Sequence, residues 1–425
     1  MIVKPRLFLV DPYLRSGLGH TADLARLYLD LAEGDGLAPV IVLPAGSQMR
    51  DAFGDYRVDM LAPDPGEAIR PPDHPNTSRH TDRLPHFLRT AIRRVSRHWF
   101  GDRAHENFLI EQSTQLSDKV QDWFATIDFH PRDHLFFPTL SWAEAMRVAE
   151  AFEAHLRRRP VVDVQCSLML RFDPPRYSKG RRFMARKAPF SPQIHFVSDT
   201  RQLAEAYSTI LNKKVSQILI PIEPTLVSGE TSQAKRRPAR IAFLGESRTE
   251  KRFDKLPEII EAFRSLKTQE PVQFYVQHAP VASQDQAKLA KVADRLRAMQ
   301  DDDLVVVSGT HSTEEFIALL KSASVVLAPY RVANYRRRSS GLVIGALAAG
   351  AVVVAEAGRS WLSSSIDKDE QTKRLSLFHG GSAKQIARAI AKALQLKDEI
   401  HTGYQFPPQP KPWPEPGIMP PTSDL

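Results

Sequence analysis

Between Leu304 and Leu362 the sequence alternates short apolar runs with helix-like segments, and a chain so built folds as a parallel sheet covered by helices. LVVV (304–307) is a continuous apolar run of the kind a buried parallel strand carries. Ser308 and Gly309 end it, and Ser312, Thr313, Glu314 and Glu315 open a helix through Leu320 with acids at its positive end. SVVLAP (324–329) is the next strand. A polar, basic loop follows from Tyr330 through Arg331, Asn334, Tyr335, Arg336, Arg337 and Arg338 to Ser339 and Ser340. Only then come a helix opened by Gly341 (GLVIGALAAG) and the strand AVVVA (351–355). Small residues at 340 and 341 allow close backbone approach, and a helix start turns free N–H groups toward its surroundings, so a polyanion is the expected guest.

At 425 residues the chain is too long for one ordinary core, and two domains are expected. With 42% apolar and 25% charged residues, a globular chain and not bulk disorder is expected. Cys166 is the one cysteine, so neither a disulfide nor a cysteine-based metal site is expected, and a buried thiol in a reducing compartment is. MIVKPRLFLVDPY reads as a first strand and not a targeting segment, no stretch approaches the length of a membrane span, and a cytoplasmic protein is expected. The net charge of +9 suits nucleic acid, an anionic membrane surface or a phosphorylated substrate. Basic residues gather at Arg89, Arg93, Arg94, Arg97 and Arg103, at 157–159, and at Arg176, Lys179, Arg181, Arg182, Arg186 and Lys187, where no acid intervenes.

From the N-terminus, LFLV (7–10) is a strand, and Arg15 to Thr21 a glycine-bearing loop entering a helix to about Ala32. Its Gly17 and Gly19 lack the third glycine of a dinucleotide fingerprint, and serve close approach at a helix start. A strand at 38–43, a loop-like stretch at 54–86 and helices at 84–99 and within 108–124 follow. Strands at 133–140, 160–167, 194–199 and 216–224 alternate with helices at 142–158 and 200–211, the basic segment 171–189 reading as loop or short helix. Val227 to Arg240 is polar and reads as a linker. A second series then opens with IAFLG (241–245), helices at 254–266 and 283–299 and a strand at 272–276, closing on a helix at 382–396. The Pro-rich remainder is a tail. The expected domains are 1–226, a linker 227–240, 241–400, and a tail 401–425. Two doubly wound sheets should receive ligand at the carboxyl ends of their strands.

In this order of elements the chain resembles the GT-B glycosyltransferases, in particular the retaining group called family 4 or glycosyl transferases group 1. The motifs that carry the likeness are LGESRTEKRFDKLPEIIEAF (244–263), SGTHSTEEFIALLKSASVVLAPY (308–330) and RSSGLVIGALAAGAVVVAEAG (338–358). The resemblance implies two Rossmann-like domains facing across a cleft, the first on the acceptor side, the second binding a nucleotide sugar. It further implies a metal-independent, hexosyltransferase-like enzyme of polysaccharide biosynthesis with no cofactor and a UDP- or GDP-sugar as donor. The family's donor-diphosphate cations carry over to Arg248 and Lys251, while Arg252 stands where the family has glycine. The family's acid pair is missing: Gly345 and Arg337 stand in those places, and Glu356 is out of register.

The candidate catalytic residues are thus Arg248, Lys251 and His20, the last for proton exchange or sugar contact; a purely structural hydrogen bond suits His20 as well. Donor-binding candidates are Gly17, Gly19, Gly245, Tyr335, Arg338, Ser339, Ser340, Gly341 and Leu342, and no metal ligands are expected. His134 and His195 read as structural, while Ser198, Asp199 and Glu223 are candidates by strand-end position. The acids at 301–303 read as a solvated turn. The acceptor is a glycan, a lipid-linked or a small molecule; the segment 176–187 suits an anionic membrane or a lipid-linked phosphate as partner; nucleic acid is not expected. A non-catalytic relative acting as a binding or partner subunit is the alternative, supported by Gly345.

Overall fold

The computed structural model describes residues 4–14, 21–61, 102–161, 163–187, 190–218, 220–227, 238–268, 270–280, 285–407 and 410–413. They form thirteen strands: β1 Arg6–Val10, β2 Ala38–Leu43, β3 Arg57–Met60, β4 His134–Leu140, β5 Gln165–Leu170, β6 Ile194–Ser198, β7 Val215–Gln217, β8 Ala239–Phe243, β9 Val272–His278, β10 Leu304–Ser308, β11 Val325–Ala328, β12 Val352–Glu356 and β13 Leu375–Phe378. The helices are α1 Thr21–Gly34, α2 Asp102–Thr126, α3 Trp142–Arg158, α4 Ser178–Lys187, α5 Arg201–Leu211, α6 Pro224–Val227, α7 Leu256–Arg264, α8 Gln286–Ala298, α9 Thr313–Ser322, α10 Val332–Tyr335, α11 Gly341–Ala348, α12 Leu362–Ser365, α13 Lys368–Arg374 and α14 Ala383–Leu396. The chain divides into two units, residues 1–17, 28–219 and 410–425 in one, 18–27 and 220–409 in the other.

The first unit holds a seven-stranded sheet in the order β3-β2-β1-β4-β5-β6-β7, parallel throughout. Parallel strands need crossovers, and the helices that supply them must bury an apolar face on the sheet. α3 does so with Trp142, Met146, Ala149 and Phe152, and its start is fixed by a capping box between Ser141 and Glu144. Phe8, Trp123, Phe124, Phe129, Phe137 and Phe152 fill the core between sheet and helices.

In the second unit the order is β10-β9-β8-β11-β12-β13, again parallel. Phe243, Phe253, Ile259, Phe263, Phe274, Val354 and Ile390 lie in its core. Winding runs outward from β8 in one direction through β9 and β10, and from β11 in the other. The carboxyl ends of β8 and β11 therefore flank the switch point, where crossovers leave on opposite faces and open a crevice.

Several expectations shift. LVVV is not fully buried: β10 is an edge strand with one neighbour, and Val305, Val306 and Val307 are half-exposed. The strand expected at 216–224 shortens to β7, since Pro221 and Pro224 cannot join a ladder. The basic segment contains the helix α4. His195 is exposed and bonds Gln165 Oε1 at 2.5 Å, whereas His134 is buried with Nε2 at 3.1 Å from Ser167 Oγ. Of the tail, residues 410–413 belong to the first unit and pack there, whereas Gly403 and Tyr404 lie against Ala348 and Leu347 of the second. Trp413 is buried edge-on to Tyr28 and Phe136, its Nε1 donates to Asp35, Lys411 pairs with Asp35, and the Pro412 carbonyl accepts from Ser167 Oγ. The helix expected at 84–99, most of the 54–86 loop and positions 228–237 of the linker lie outside the described residues. No helix among the described residues is long and apolar enough to cross a membrane.

Candidate active site

Two loops leave the switch point of the second sheet. The first, from Leu244 to Lys255, follows β8. Gly245 sits at φ +91°, a backbone region that disfavours side chains, and a Cβ there would lie 3.5 Å from Lys251 Nζ. Its N–H donates to Gln277 Oε1 at 2.7 Å, and Gln277 in turn donates to the Gly309 carbonyl at 2.9 Å, so a buried amide at the end of β9 pins the turn. Residues 249–251 form one 3-10 turn, and Arg252 closes it in the left-handed region at φ +57°.

The second loop follows β11. Tyr330 is buried and lies 4.6 Å, centroid to centroid, from the Tyr335 ring on α10. Lys251 Nζ stands 5.6 Å above the Tyr330 ring, and the Arg338 guanidinium 5.4 Å above that of Tyr335. The Tyr330 hydroxyl lies close to the Ser340 side chain without a well-formed hydrogen bond, and burial pushes its pKa up. The Arg331 N–H donates to the Glu250 carbonyl at 2.9 Å, tying the loops together through the backbone. Lys251, Tyr330, Tyr335, Arg338 and Ser340 thus belong to one connected cluster.

Ser340 caps α11, accepting the Val343 N–H at 3.4 Å. A helix start leaves its first N–H groups without intrahelical acceptors, here those of Gly341 and Leu342. A Cβ on Gly341 would meet nothing within 4 Å, so the backbone is open to a ligand; the Leu342 side chain is buried, leaving only its backbone for that role. Ser339 is half-buried. Arg248 is 41% exposed and is paired with Glu246 and, at 3.5 Å, with Glu250. Lys251 differs: burial draws its pKa below the ordinary lysine value, with Glu246 and Glu250 opposing and Arg248 adding to the shift. A desolvated ammonium gains strongly from a dianionic neighbour. Gly17, Gly19 and His20 lie outside the described residues.

Arg252 does not add charge for a ligand. It donates to the Pro329 carbonyl at 2.8 Å and to Glu356 at 2.6 Å, while Glu356 also accepts the Val332 N–H at 2.8 Å. This buried bracket joins the ends of β8, β11 and β12, and Gly381 is needed beside it, because a Cβ there would fall 2.5 Å from an Arg252 nitrogen. Gly345 has a packing role as well, since a Cβ would meet Leu320 at 3.0 Å and Leu226 at 3.4 Å. A carboxylate at this position would enter an apolar contact. Sequence reasoning missed the bracket and Gln277. A Gln near the end of an otherwise apolar strand was the available signal for Gln277; nothing local signals that Arg252 and Glu356 meet.

The first sheet has its own switch point, between β1 and β4. Asp11 directly follows β1 and is buried, and burial raises its pKa from 3.8 to about 7 against the pull of Arg171 and the Leu14 N–H. Glu144, at the start of the helix after β4, is likewise raised by burial to about 7 and accepts a hydrogen bond from Tyr13. Arg171 and Asp199, after β5 and β6, pair at 3.5 Å. Of these only Asp199 was singled out from the sequence. Among the described residues no three His, Cys, Asp or Glu side chains form a group fit for a metal ion; Asp301, in the acidic turn, is held by Arg264 at 2.7 Å.

No protein-family model and no curated protein sequence matches the chain. Solved structures do match over nearly its whole length. Sucrose-phosphate synthase from Thermosynechococcus elongatus aligns at a TM-score of 0.60 with 13% identity, covering 92% of this chain and 90% of that one. HepE of Anabaena, in complex with UDP and glucose, aligns at 0.57 with 12% identity, covering 93% of each chain. An alpha,alpha-trehalose-phosphate synthase (UDP-forming) from Burkholderia vietnamiensis aligns at 0.55 with 14% identity, covering 93% of each. At these identities the likeness is one of fold: the chain has two parallel-sheet α/β units of seven and six strands, matching the GT-B architecture.

Proposed function

We propose that this protein is a glycosyltransferase that moves a sugar from a nucleotide-diphosphate sugar, with UDP or GDP as the nucleotide, to a glycan, a lipid-linked or a small-molecule acceptor. The observation that carries the reading is the desolvated Lys251 ammonium at the switch point of the second sheet, over the Tyr330 ring whose hydroxyl in turn lies close to Ser340, the cap of the helix that opens at Gly341. As the glycosyl bond breaks, charge develops on the leaving diphosphate. Fixed cations and helix-end amides stabilise such charge without reorganisation, and this fits a metal-independent reaction. Lys251 and the N–H groups of Gly341 and Leu342 take that role, with Arg338 and Arg248 at the margin and the Tyr335 ring as a platform beside them. Gly245 keeps the approach to Lys251 free of a side chain. Transfer with retention follows if the acceptor hydroxyl attacks the face the diphosphate leaves, its proton passing to a donor oxygen, so that no protein nucleophile is required. Solved structures of the same fold with UDP and glucose bound support this donor class.

The test is calorimetric titration of the full chain with UDP and with GDP. Binding that weakens about 10- to 100-fold in Lys251→Ala, the range for losing one or two charge-assisted hydrogen bonds, supports the assignment. Undiminished binding in that variant would refute Lys251's role. A second reading, a relative of this fold acting as a binding or partner subunit, is favoured by the apolar packing at Gly345 and by the acids already pairing Arg248. Failure to bind either nucleotide selects it.

A further inference from the structure

Away from both switch points, α4 carries five cations and no acid in ten residues, SKGRRFMARK. The helix is firmly seated. Gly180 fits where a Cβ would fall 2.5 Å from the Pro175 side chain and 3.1 Å from Trp142, Met184 is buried, and Glu106 of α2 accepts the N–H groups of Arg176 and Tyr177 at 2.9 and 3.0 Å. Phe183 is half-buried, edge-on to Trp142. With the buried side of α4 so fixed, its charges project outward: Lys179, Arg182 and Arg186 are exposed, spaced three and four residues apart, which places them on one face.

These three cations, with Phe183 and Ile110 of α2, line a cavity of about 600 Å³. Lys179 is steadied by Asn107 at 2.5 Å, while Arg182 and Arg186 have no hydrogen bond or ion pair among the described residues. A cavity with cations on one side and partly exposed hydrocarbon on the other has the chemistry of an anionic amphiphile's binding site. A free phosphate would use only the arginines, and a nucleic acid would find no stacking surface in Phe183, whose ring packs against Trp142.

We infer that α4 and the adjoining cavity dock on an anionic phospholipid surface, with a lipid phosphate on Arg182 and Arg186 and the first acyl methylenes against Ile110 and Phe183. The net charge of +9 brings the whole molecule toward such a surface, and the rigid helix presents its guanidinium groups at little ordering cost. The inference stands whether or not the protein transfers sugars.

Sedimentation of the full chain with phosphatidylcholine vesicles, with and without phosphatidylglycerol, tests it. Binding should require phosphatidylglycerol, and the double variant Arg182→Gln, Arg186→Gln, altered only at exposed positions, should partition about 30-fold more weakly, as expected for two basic side chains near anionic lipid. Circular dichroism confirms that the variant is folded. Equal binding to neutral vesicles, no binding to either, or undiminished binding of the variant overturns the inference. So does displacement from the vesicles by millimolar glycerol phosphate, which would mean that a headgroup alone occupies the site.

Discussion

Lys251 and Asp11 show how burial alone alters what a common side chain does. Lys251 sits in a sequence rich in charges, where composition suggests a solvated run, yet its ammonium is drawn over Tyr330 while the Arg248 guanidinium stays half-exposed and paired with Glu246 and Glu250. Lys251→Ala is therefore expected to weaken nucleoside diphosphate binding far more than Arg248→Ala, whose guanidinium is already paired and half-exposed; parallel titrations of the two variants check this ranking. Asp11 makes a prediction about pH. Its folded pKa is raised, so the folded state holds the proton over a range where the unfolded chain has lost it. The stabilisation is complete below pH 3.8 and is lost as pH rises through about 7. Asp11→Asn removes a charge that must be buried above neutrality and keeps an acceptor for the Tyr13 N–H. Its melting temperature should exceed that of the parent protein at pH 8 and converge with it toward pH 4, the difference in unfolding free energy reaching at most about 4 kcal/mol. A constant gap across the titration would show that Asp11 does not titrate with folding.

At the scale of elements, the ends of β8, β11 and β12 are held by Arg252 and Glu356. Both are largely buried, so removing either partner strands the other. Arg252→Ala and Glu356→Gln should each destabilise the second unit by about 3–5 kcal/mol, readable by chemical denaturation. Arg252→Gly is the instructive variant, because glycine suits the left-handed backbone at φ +57° and yet leaves Glu356 uncompensated. If it proves as stable as the parent, the conformation and not the ion pair is what position 252 supplies. The resemblance placed a glycine at this position, and the structure shows why: the turn needs a positive φ. It also shows that the arginine found there serves the bracket and not the ligand.

For the whole molecule, the chain's last described residues return to the first unit. Trp413 seals the space beside Tyr28 and Phe136, and two residues of the strap reach Asp35. Trp413→Ala should cost the first unit about 3–5 kcal/mol, the range for emptying a buried aromatic site, and thermal unfolding monitored calorimetrically checks it. A chain ending before Pro410 should show the same loss. Proline-rich composition gives no sign that Lys411, Pro412 and Trp413 would be packed.

Period and punctuation in the sequence determined the alternation of strand and helix, the capping boxes at Ser141 and Ser312, and the loop that opens α11, because these depend on neighbours within one or two turns. Two parallel-sheet α/β units were legible for the same reason, since apolar runs flanked by helices admit few topologies besides parallel sheets, and the GT-B likeness came from the resemblance of the motifs. Only the tertiary structure decided that Lys251 is desolvated while Arg248 is not, that Arg252 meets Glu356, that Gly345 faces leucines, and that Asp11 and Glu144 hold protons near neutrality. Each of these depends on groups distant in sequence that strand order brings side by side, and burial of charge has no local signature along the chain.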